Sequence, residues 1–466
     1  MSKSRTAANS KIFLEAQDCL KLAIPLAIAQ LFDIAINFTD TVMMGLLGSQ
    51  TLAAGALGST TYIAFLWTSS GMISAVGILA AIAFGAGQLQ RIRKIACQGL
   101  WLTVPLSIPI MLLLWNMTPI LLQLGQQEST VLLTQSYLRA IVWGFPALIG
   151  FSVLKNLMSA LNHPQLIMMI MVIGVVVNAI GNYILMFGKL GLPALGLAGI
   201  GWASTFTLWG QFIAGISFIS LDKELRTYQF FGHWYRFNAL VFREIFKIGL
   251  PIAILFAIEI SLNTCIAYLM GYLGTVTLAA HQIAIQTTQI VFMVPLGISY
   301  ATSMRVGQKL GENDLKGVRR SGFVGMALGA IFVSIVALIF CLFPDSIAGI
   351  YLDTKNPENA KVVQLAIALL HLAVASQIFD GIQVIAGGAL RGLKDTRVPL
   401  IIGLLVYWPI GLGSGYLMGI YFHWGGVGLW FGLVLGLLSV AVSLIWRFYC
   451  KTTGLLASRA IAIQEN

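Results

Sequence analysis

The sequence predicts an all-α membrane protein whose twelve transmembrane helices form two pseudo-symmetric six-helix bundles. Composition is the first observation behind this prediction. Of the 466 residues, 58% are hydrophobic and only 10% are charged, whereas a soluble chain carries about 25% charged residues. The second observation is a series of twelve long apolar runs, and the third is an internal repeat that relates the two halves of the chain. Together they exclude a soluble globular fold.

Each apolar run is long enough to cross the hydrocarbon core of a bilayer as a helix, which takes about 20 residues. The runs are continuous, so they lack the alternation with polar residues that transmembrane barrel strands require. The predicted spans are residues 19–47, 52–80, 95–117, 131–158, 165–187, 196–220, 246–272, 277–300, 322–343, 362–388, 398–421 and 425–447.

Basic residues predict the orientation of the chain. The polar segment before Cys19 contains no apolar core followed by a cleavage site, so we expect no removable signal peptide. With both termini in the cytoplasm, 24 of the 28 lysines and arginines lie on the cytoplasmic side, as the positive-inside rule requires. The four basic residues left on the outside are Arg139, Lys189, Lys355 and Lys361.

The two halves of the chain contain an internal repeat. Aligning Lys21–Ala54 with Lys247–Ala280, which places Pro25 on Pro251, gives 14 identities in 34 ungapped positions. We call this alignment the first-helix repeat. Because six spans separate the copies, both have the same orientation in the membrane, and parallel repeats of this kind are typical of secondary transporters. The predicted domains are an N-terminal bundle at 1–220, a polar cytoplasmic linker at 221–244 and a C-terminal bundle at 245–466.

Four acidic residues lie well inside predicted spans, namely Asp33, Asp40, Glu259 and Asp380. An ionised carboxylate is costly in hydrocarbon, so each needs a basic partner, a cation, a proton or a water-filled cavity. No basic residue is predicted deep within a span, because Lys155 and Arg139 lie near helix ends, from which their side chains can extend to the interface. We therefore expect these acids to bind Na⁺ or H⁺ and to attract cationic substrates.

The spacing of Asp33, Asn37 and Asp40 places them on one face of the first helix. The repeat duplicates part of this stripe, since Glu259 and Asn263 occupy the equivalent positions in the seventh helix. Neutral oxygen donors can complete a cation site, or alternatively they bond neighbouring helices to each other. The candidates are Asn178, Asn182, Ser204 and Thr205.

Several signatures of other functions are absent from the sequence. It lacks the GxxxxGK[ST] phosphate-binding loop, the HExxH motif and the GxSxG motif, which argues against an ATP-driven pump and a hydrolase. The five cysteines lie far apart, so no disulfide framework or zinc site is expected. The net charge of +11 resides between apolar runs and indicates lipid headgroups rather than nucleic acid. We expect no enzymatic activity and no cofactor apart from a coupling ion.

A set of short motifs occurs in order along the whole chain. They are Pro25, DTVMMG at 40–45, Pro251, Glu259, AAHQ at 279–282, PLGI at 295–298, RVGQ at 305–308, Asp380 and GALRGLKD at 388–395. Each motif alone is weak, but in combination the sequence resembles the multidrug and toxic compound extrusion (MATE) transporters, in particular their NorM-type bacterial branch.

The resemblance implies a V-shaped pair of bundles that exports organic cations in exchange for Na⁺ or H⁺. Carried over by position, Glu259 and Asp380 match the cation-coupling acids of the C-terminal lobe, where Na⁺ would bind, and Asp40 matches the acid of the N-terminal lobe. Three residues depart from the pattern, and one of them, Asp33, is an additional acid that the pattern lacks. Ser376 stands where relatives have a tyrosine four residues before the acid, and Asn182 where some have aspartate. The coupling ion and the lobe that binds it therefore stay open.

We therefore predict a secondary active multidrug efflux antiporter of the inner (plasma) membrane, acting as a monomer among membrane lipids. The alternative is a lipid or lipid-linked oligosaccharide flippase of a related fold. A flippase would need arginine and lysine in its cleft to hold phosphate, whereas the predicted interior is acidic. A passive channel or a membrane enzyme would have no need for duplicated halves with paired acids.

Overall fold

The computed structural model describes residues 2–230, 237–351 and 359–464, so Arg236 and Lys355, which the orientation prediction used, lie outside the described residues. Within these ranges, twelve helices are long and apolar enough to cross a membrane, which confirms the predicted number. They are α1 (Ser10–Leu46), α2 (Ser49–Gly85), α3 (Leu89–Trp115), α4 (Glu128–Ala160), α5 (Pro164–Phe187), α6 (Leu197–Leu221), α7 (Ala239–Tyr272), α8 (Thr275–Gly311), α9 (Leu315–Leu342), α10 (Ala360–Gly392), α11 (Arg397–Tyr421) and α12 (Gly425–Arg459).

Several helices extend past the apolar runs from which they were predicted. The helical backbone of α1 begins at Ser2, and that of α12 continues to Gln464. A helix forms its backbone hydrogen bonds internally, so it can continue into polar sequence beyond the hydrocarbon. In the described part of the chain, three short helices lie between spans, at Thr118–Gln123, Lys223–Arg226 and Pro344–Tyr351. The second belongs to the predicted linker at 221–244, whose role as a domain boundary stays a prediction.

The helices form two compact units. Unit 1 contains Met1–Ala27 and Ile254–Asn466, and unit 2 contains Ile28–Ala253. The boundaries between them fall inside α1 and α7, two residues after Pro25 and two residues after Pro251. These are equivalent positions of the first-helix repeat. Each unit therefore contains the amino-terminal segment of the first helix of the other half.

The first-helix repeat extends into the backbone geometry. Helices α2 and α8 both have 37 residues and begin and end at equivalent positions. Each is preceded by a glycine, Gly48 with a φ of +111° and Gly274 with a φ of +122°. The turns after the two helices contain Gly87 at φ +67° and Asn313 at φ +57°, a conformation that glycine and asparagine adopt most readily. The two halves thus share backbone structure beyond the aligned sequence.

A second alignment of the two halves matches α4 with α10. Both helices have 33 residues, and placing Glu128 on Ala360 aligns them from end to end. The same alignment places Asn162 on Lys394 in the turns that follow, where their φ angles are +65° and +57°. This α4–α10 alignment identifies equivalent residues on the two helices.

In unit 1, α11 and α12 pack backbone against backbone. A Cβ atom added to Gly432 would overlap the Cα of Gly415, and one added to Gly436 would lie 2.8 Å from the Cα of Gly411. Only glycine permits such an approach. Helix α11 also contains two π-helical turns, at Tyr407–Leu412 and Leu417–Tyr421. Such turns occur mostly inside α-helices and frequently at functional sites.

Candidate functional site

The two predicted coupling acids of unit 1, Glu259 on α7 and Asp380 on α10, are joined by a chain of hydrogen-bonding side chains. The Tyr407 hydroxyl lies 3.0 Å from Oε1 of Glu259 and 2.6 Å from Oε1 of Gln383. The Gln383 amide Nε2 donates to Oδ1 of Asp380 at 3.2 Å. The structure thus links both acids through one tyrosine and one glutamine.

Helix geometry positions these four side chains. Asp380 and Gln383 are three residues apart on α10, so they lie on the same face. Tyr407 is the first residue of the first π-helical turn of α11, and its side chain is 2% exposed. Glu259 lies eight residues after Pro251 on α7. Three helices of unit 1 therefore contribute to one polar cluster, which we call the acid chain: Glu259, Tyr407, Gln383 and Asp380.

The acid chain contains one hydrogen too few when both acids are ionised. Its three contacts need three hydrogens, but the Tyr407 hydroxyl has one and only one end of the Gln383 carboxamide can donate. With the amide nitrogen towards Asp380, Tyr407 faces two acceptor oxygens. With the carboxamide reversed, the Gln383 oxygen faces the Asp380 carboxylate instead. In both arrangements, one added proton or one metal cation makes every contact favourable.

Among the described residues, the acid chain makes no ion pair, and the buried Arg391 attracts Glu259 only at longer range. None of the ion pairs among the described residues involves Glu259 or Asp380. Arg391 of α10 is buried, but its guanidinium donates to the Ser299 hydroxyl at 2.8 Å and to the Val384 carbonyl at 3.5 Å. Hard cations such as Na⁺ prefer oxygen ligands, and the carboxylate, phenol and carboxamide oxygens of the acid chain fit that preference.

Unit 2 contains the third predicted coupling acid, Asp40, in a separate buried network. Asp40 is 6% exposed and accepts hydrogen bonds from Nδ2 of Asn182 at 2.6 Å and from the Ser204 hydroxyl at 3.0 Å. Asn178 donates to Ser204 at 3.2 Å, and its own oxygen accepts from Asn182 at 3.2 Å. The Oδ1 atom of Asn182 is buried with no hydrogen-bond partner among the described residues. The donors to Asp40 are neutral, so they leave its charge uncompensated.

Some predicted candidates lie apart from these networks. The Thr205 hydroxyl donates to the Ala140 carbonyl at 2.8 Å. The amide nitrogens of Asn37 and Asn263 donate to the carbonyls four residues earlier on their own helices. Within the described residues, the hydrogen bonds of these three side chains therefore join none of them to an acidic side chain.

The expectation that no basic residue pairs with the acids inside the spans is wrong for Asp33. The Lys155 ammonium of α4 lies 3.4 Å from Oδ2 of Asp33 and 3.2 Å from Oε1 of Gln30 on α1. Lys155 lies five residues before the end of α4, and its long side chain reaches α1 in unit 2 rather than the helix end. Asp33, unlike the other three acids, thus has a basic partner among the described residues.

Sequence reasoning missed Tyr407 and Gln383. Gln383 had a signal, because it lies three residues after Asp380 and so on the same helix face. Tyr407 had none, because it lies 148 residues after Glu259 in the sequence and contacts it only in the folded protein. Ser376, where the resemblance places a tyrosine in relatives, donates to the Ala373 carbonyl at 2.9 Å. The tyrosine hydroxyl at these acids therefore comes from α11.

A comparison with family profiles matches two segments of the chain, residues 25–184 and 251–417, to MatE. The chain belongs to the MatE family. The two matched segments contain all four acids predicted to lie inside spans and follow the internal repeat, since they begin at the equivalent residues Pro25 and Pro251. Membership of this transporter family and the twelve apolar helices identify a multi-pass membrane protein.

Named relatives within the MatE family match the chain over nearly its full length. The probable multidrug resistance protein NorM of Synechococcus sp. is 42% identical over 439 residues, which cover 94% of each chain. The multidrug resistance protein NorM of Burkholderia vietnamiensis is 37% identical over 455 residues, which cover 97% of each chain. These relatives agree with the resemblance to the NorM branch.

Solved structures share the fold of this MatE chain. The crystal structure of the eukaryotic MATE transporter AtDTX14 matches with a TM-score of 0.83 at 19% identity, over 95% of this chain and 98% of that chain. An outward-facing multidrug resistance MATE family transporter of the MOP superfamily matches with a TM-score of 0.86 at 17% identity, over 95% and 97%. These matches confirm the predicted fold class.

Proposed function

We propose that the protein is a secondary active multidrug efflux antiporter, which exports organic cations in exchange for Na⁺ or H⁺. The names of its relatives, which are multidrug resistance proteins, support the efflux of drugs. The observation that carries the exchange is the missing hydrogen of the acid chain. Glu259, Tyr407, Gln383 and Asp380 form a contact network that is complete only with one additional proton or cation.

The coupling mechanism follows from that deficit. When the acid chain binds an ion, its contacts are satisfied and its negative charge falls by one. An organic cation then loses electrostatic attraction to the same acids, so ion binding and substrate binding oppose each other. A coupling free energy between two ligands of a two-state protein is sufficient for exchange. Release of the ion restores the negative charge and the attraction for substrate.

Asp40 is the second candidate for ion binding. Its neutral donors Asn182 and Ser204 orient the carboxylate, and Oδ1 of Asn182, which no described residue bonds, offers an additional oxygen ligand. This network has fewer charged groups than the acid chain, since it contains one carboxylate instead of two. We therefore assign the main coupling role to Glu259 and Asp380, and an auxiliary role to Asp40.

The proposed cellular setting is the inner (plasma) membrane with both termini in the cytoplasm. The distribution of lysine and arginine supports this orientation. The partners are small organic cations and membrane lipids, with no nucleic acid and no cofactor besides the coupling ion, and the protein acts as a monomer. The flippase alternative has less support, because Asp40, Glu259 and Asp380, which form no ion pair among the described residues, repel a phosphate group.

Efflux from proteoliposomes tests the proposal. Vesicles loaded with ethidium, a fluorescent organic cation, receive either an inward Na⁺ gradient or an inward proton gradient across the membrane. We expect one of the two gradients to drive ethidium out against its own concentration gradient. Glu259→Gln removes one carboxylate of the acid chain and should abolish gradient-driven efflux while ethidium still binds.

The matched control is Asn263→Ala, four residues later on α7, where the side chain bonds its own helix. This variant should pump like the wild type. Gradient-driven efflux by Glu259→Gln at the wild-type rate would remove Glu259 from the mechanism. Failure of both gradients with folded wild-type protein would overturn the antiporter proposal itself.

A further inference from the structure

Asp33 differs from the other three intramembrane acids because a basic side chain of the protein itself contacts it. In unit 2, the Lys155 ammonium lies between Oδ2 of Asp33 at 3.4 Å and Oε1 of Gln30 at 3.2 Å. Gln30 is buried at 6% exposure, and the Lys155 side chain is 20% exposed. The Asp33 side chain, in contrast, is 44% exposed. An ionised carboxylate is unstable against lipid hydrocarbon, so we infer that its open side faces water.

The equivalent acid of unit 1 lacks such a partner among the described residues. Asp33 and Glu259 are equivalent in the first-helix repeat, yet Glu259 contacts the neutral hydroxyl of Tyr407. The α4–α10 alignment makes Gly387 the equivalent of Lys155. Glycine has no side chain, so unit 1 cannot supply an ammonium from this position.

The other acid of unit 1, Asp380, has no acidic equivalent in unit 2. In the same alignment, the equivalent of Asp380 on α4 is Leu148. Unit 1 therefore has two acids and no lysine at the positions where unit 2 has one acid and one lysine. The charge at these equivalent positions is −2 in unit 1 and zero in unit 2 when all groups are ionised. Neither acid of unit 1 has an ion-pair partner among the described residues, and the buried Arg391 attracts Glu259 only at longer range, whereas Asp33 has Lys155 in direct contact.

The Lys155 contact has the features of a replaceable partner. Its distance of 3.4 Å exceeds the usual separation of a charge-assisted N–H···O hydrogen bond, which is about 2.7–2.9 Å. The ammonium is shared with Gln30, which can retain it when Asp33 is released. Lysine carries its charge on a flexible four-carbon stem, so a small movement of the side chain frees the carboxylate.

We propose that Asp33 is a binding site for organic cations and that Lys155 is a tethered competing cation, which the substrate must displace. Lys155 is thus a specificity-determining residue, because it lowers the affinity for positively charged substrates without affecting neutral ones. The tether also assists release, since the ammonium returns to Asp33 when the substrate leaves. This inference rests on the proposed transport of organic cations.

Binding measurements without any ion gradient test the inference. The purified protein in lipid nanodiscs is titrated with ethidium and, separately, with the uncharged fluorescent probe N-phenyl-1-naphthylamine, with empty nanodiscs as the blank. Lys155→Met removes the charge and keeps the apolar stem, so ethidium should bind about tenfold more tightly. Lys155→Arg keeps the charge and should bind ethidium like the wild type. Affinity for the neutral probe should stay unchanged in both variants.

Replacement of Asp33, alone and together with Lys155, completes a double-mutant cycle. Asp33→Asn leaves Lys155 without its acid and should weaken ethidium binding about tenfold. Adding Lys155→Met to Asp33→Asn should restore binding to within about threefold of the wild type. This comparison also tests the inference if Lys155→Met alone fails to fold, because the double variant carries no unpaired charge at the site.

Two results would overturn the inference. One is an ethidium affinity for Lys155→Met that lies within twofold of the wild-type affinity. If Lys155→Met fails to fold, the corresponding result is an equal ethidium affinity for Asp33→Asn and for the double variant. The other is a parallel change in affinity for both probes, which indicates a structural perturbation instead of competition between charges. If the wild type pumps ethidium under a gradient while either result holds, this inference fails and the proposed antiport stands. If the wild type binds no ethidium, both fail.

Discussion

At the scale of single residues, Tyr407 has the central place in unit 1 because its hydroxyl lies between two acceptor oxygens. It contacts Glu259 directly and reaches Asp380 through Gln383. A phenol both donates and accepts hydrogen bonds at the same oxygen. Tyr407 therefore transmits a change of protonation or ion binding at one acid to the hydrogen bonding of the other.

Tyr407→Phe should raise the ion concentration needed for half-maximal efflux. The variant keeps the ring and removes the hydroxyl, so Glu259 loses one hydrogen-bond donor or a bound cation loses one ligand. A hydrogen bond to a charged group contributes about 1.5–3 kcal/mol, and about 1.4 kcal/mol corresponds to a tenfold change in affinity. We expect at least a tenfold rise, measured as ethidium efflux against Na⁺ concentration and against pH.

The matched control for this variant is Tyr416→Phe. Tyr416 lies on the same helix, α11, but it is 50% exposed and lies outside the acid chain. Its loss of a hydroxyl should leave the ion dependence of efflux unchanged. Equal ion dependence for Tyr407→Phe and the wild type would exclude the tyrosine from ion binding.

Single residues also mark the limit of prediction from this sequence. The four acids were predicted because a carboxylate inside an apolar run is conspicuous. The role of Lys155 was misjudged because a lysine five residues from a helix end can point in either direction along that helix. The direction of the Lys155 side chain depends on Asp33, which is distant in the sequence but in contact with it in the fold. Side-chain direction across two helices is a tertiary property.

At the scale of helices, α11 and α12 are fixed to each other by glycine contacts. The contacts are made by three residues on each helix, spaced four apart. They are Gly411, Gly415 and Gly419 on α11, and Gly428, Gly432 and Gly436 on α12. The first π-helical turn of α11 begins at Tyr407, four residues before the first of these glycines. The glycine contacts therefore hold the helix that carries the Tyr407 hydroxyl.

Gly432→Ala should destabilise the protein. The added Cβ would overlap the Cα of Gly415, so the two backbones must separate. Overpacking of this kind costs about 1–3 kcal/mol, and more when backbone is the obstacle. We expect a lower midpoint of thermal unfolding in detergent and weaker ion dependence of efflux, because α11 moves with its partner.

Gly454→Ala is the control on the same helix. Nothing lies within 4 Å of its added Cβ, and alanine is favoured over glycine in a helix by about 1 kcal/mol. Its unfolding midpoint should stay the same or rise. An unfolding midpoint of Gly432→Ala as high as that of Gly454→Ala would contradict the close packing of α11 and α12.

The helices themselves were predictable, whereas the irregular turns within them were not. Twelve apolar runs of sufficient length account for twelve spans, because backbone groups in hydrocarbon must bond within the same helix. A π-helical turn changes the bonding pattern without changing the hydropathy of the run. The turn at Tyr407–Leu412 therefore left no trace in the apolar pattern.

At the scale of the whole molecule, each unit holds the first-helix segment of the other half by an ion pair. In unit 1, Glu15 of α1 accepts from Arg305 at 2.9 Å and from Ser321 at 2.7 Å. In unit 2, Glu244 of α7 accepts from Arg91 at 3.2 Å. The Glu15 side chain is 3% exposed and that of Glu244 is 32% exposed. Glu15 and Glu244, the acids that anchor these two segments, thus differ in burial, although the first-helix segments of the two halves are equivalent.

Glu15→Gln should therefore cost far more stability than Glu244→Gln. The first variant leaves the mostly buried Arg305 with the half-exposed Asp18, at 3.1 Å, as its remaining acidic partner among the described residues. Breaking a buried pair costs about 3–5 kcal/mol, whereas an exposed pair contributes about 0–1 kcal/mol. Thermal unfolding of both variants in detergent measures the difference. Equal unfolding midpoints would contradict the assignment of Glu15 as the stronger anchor.

The exchange of first-helix segments has a consequence for how the protein is made. The ribosome produces α1 before α8 and α9, which carry Arg305 and Ser321, the partners of its amino-terminal segment in unit 1. Residues up to Ala27 must therefore remain without these partners while more than half of the chain is synthesised. Unit 2 ends at Ala253 and can assemble earlier. A segment that is synthesised before either of these partners is thus among the last to reach its final packing.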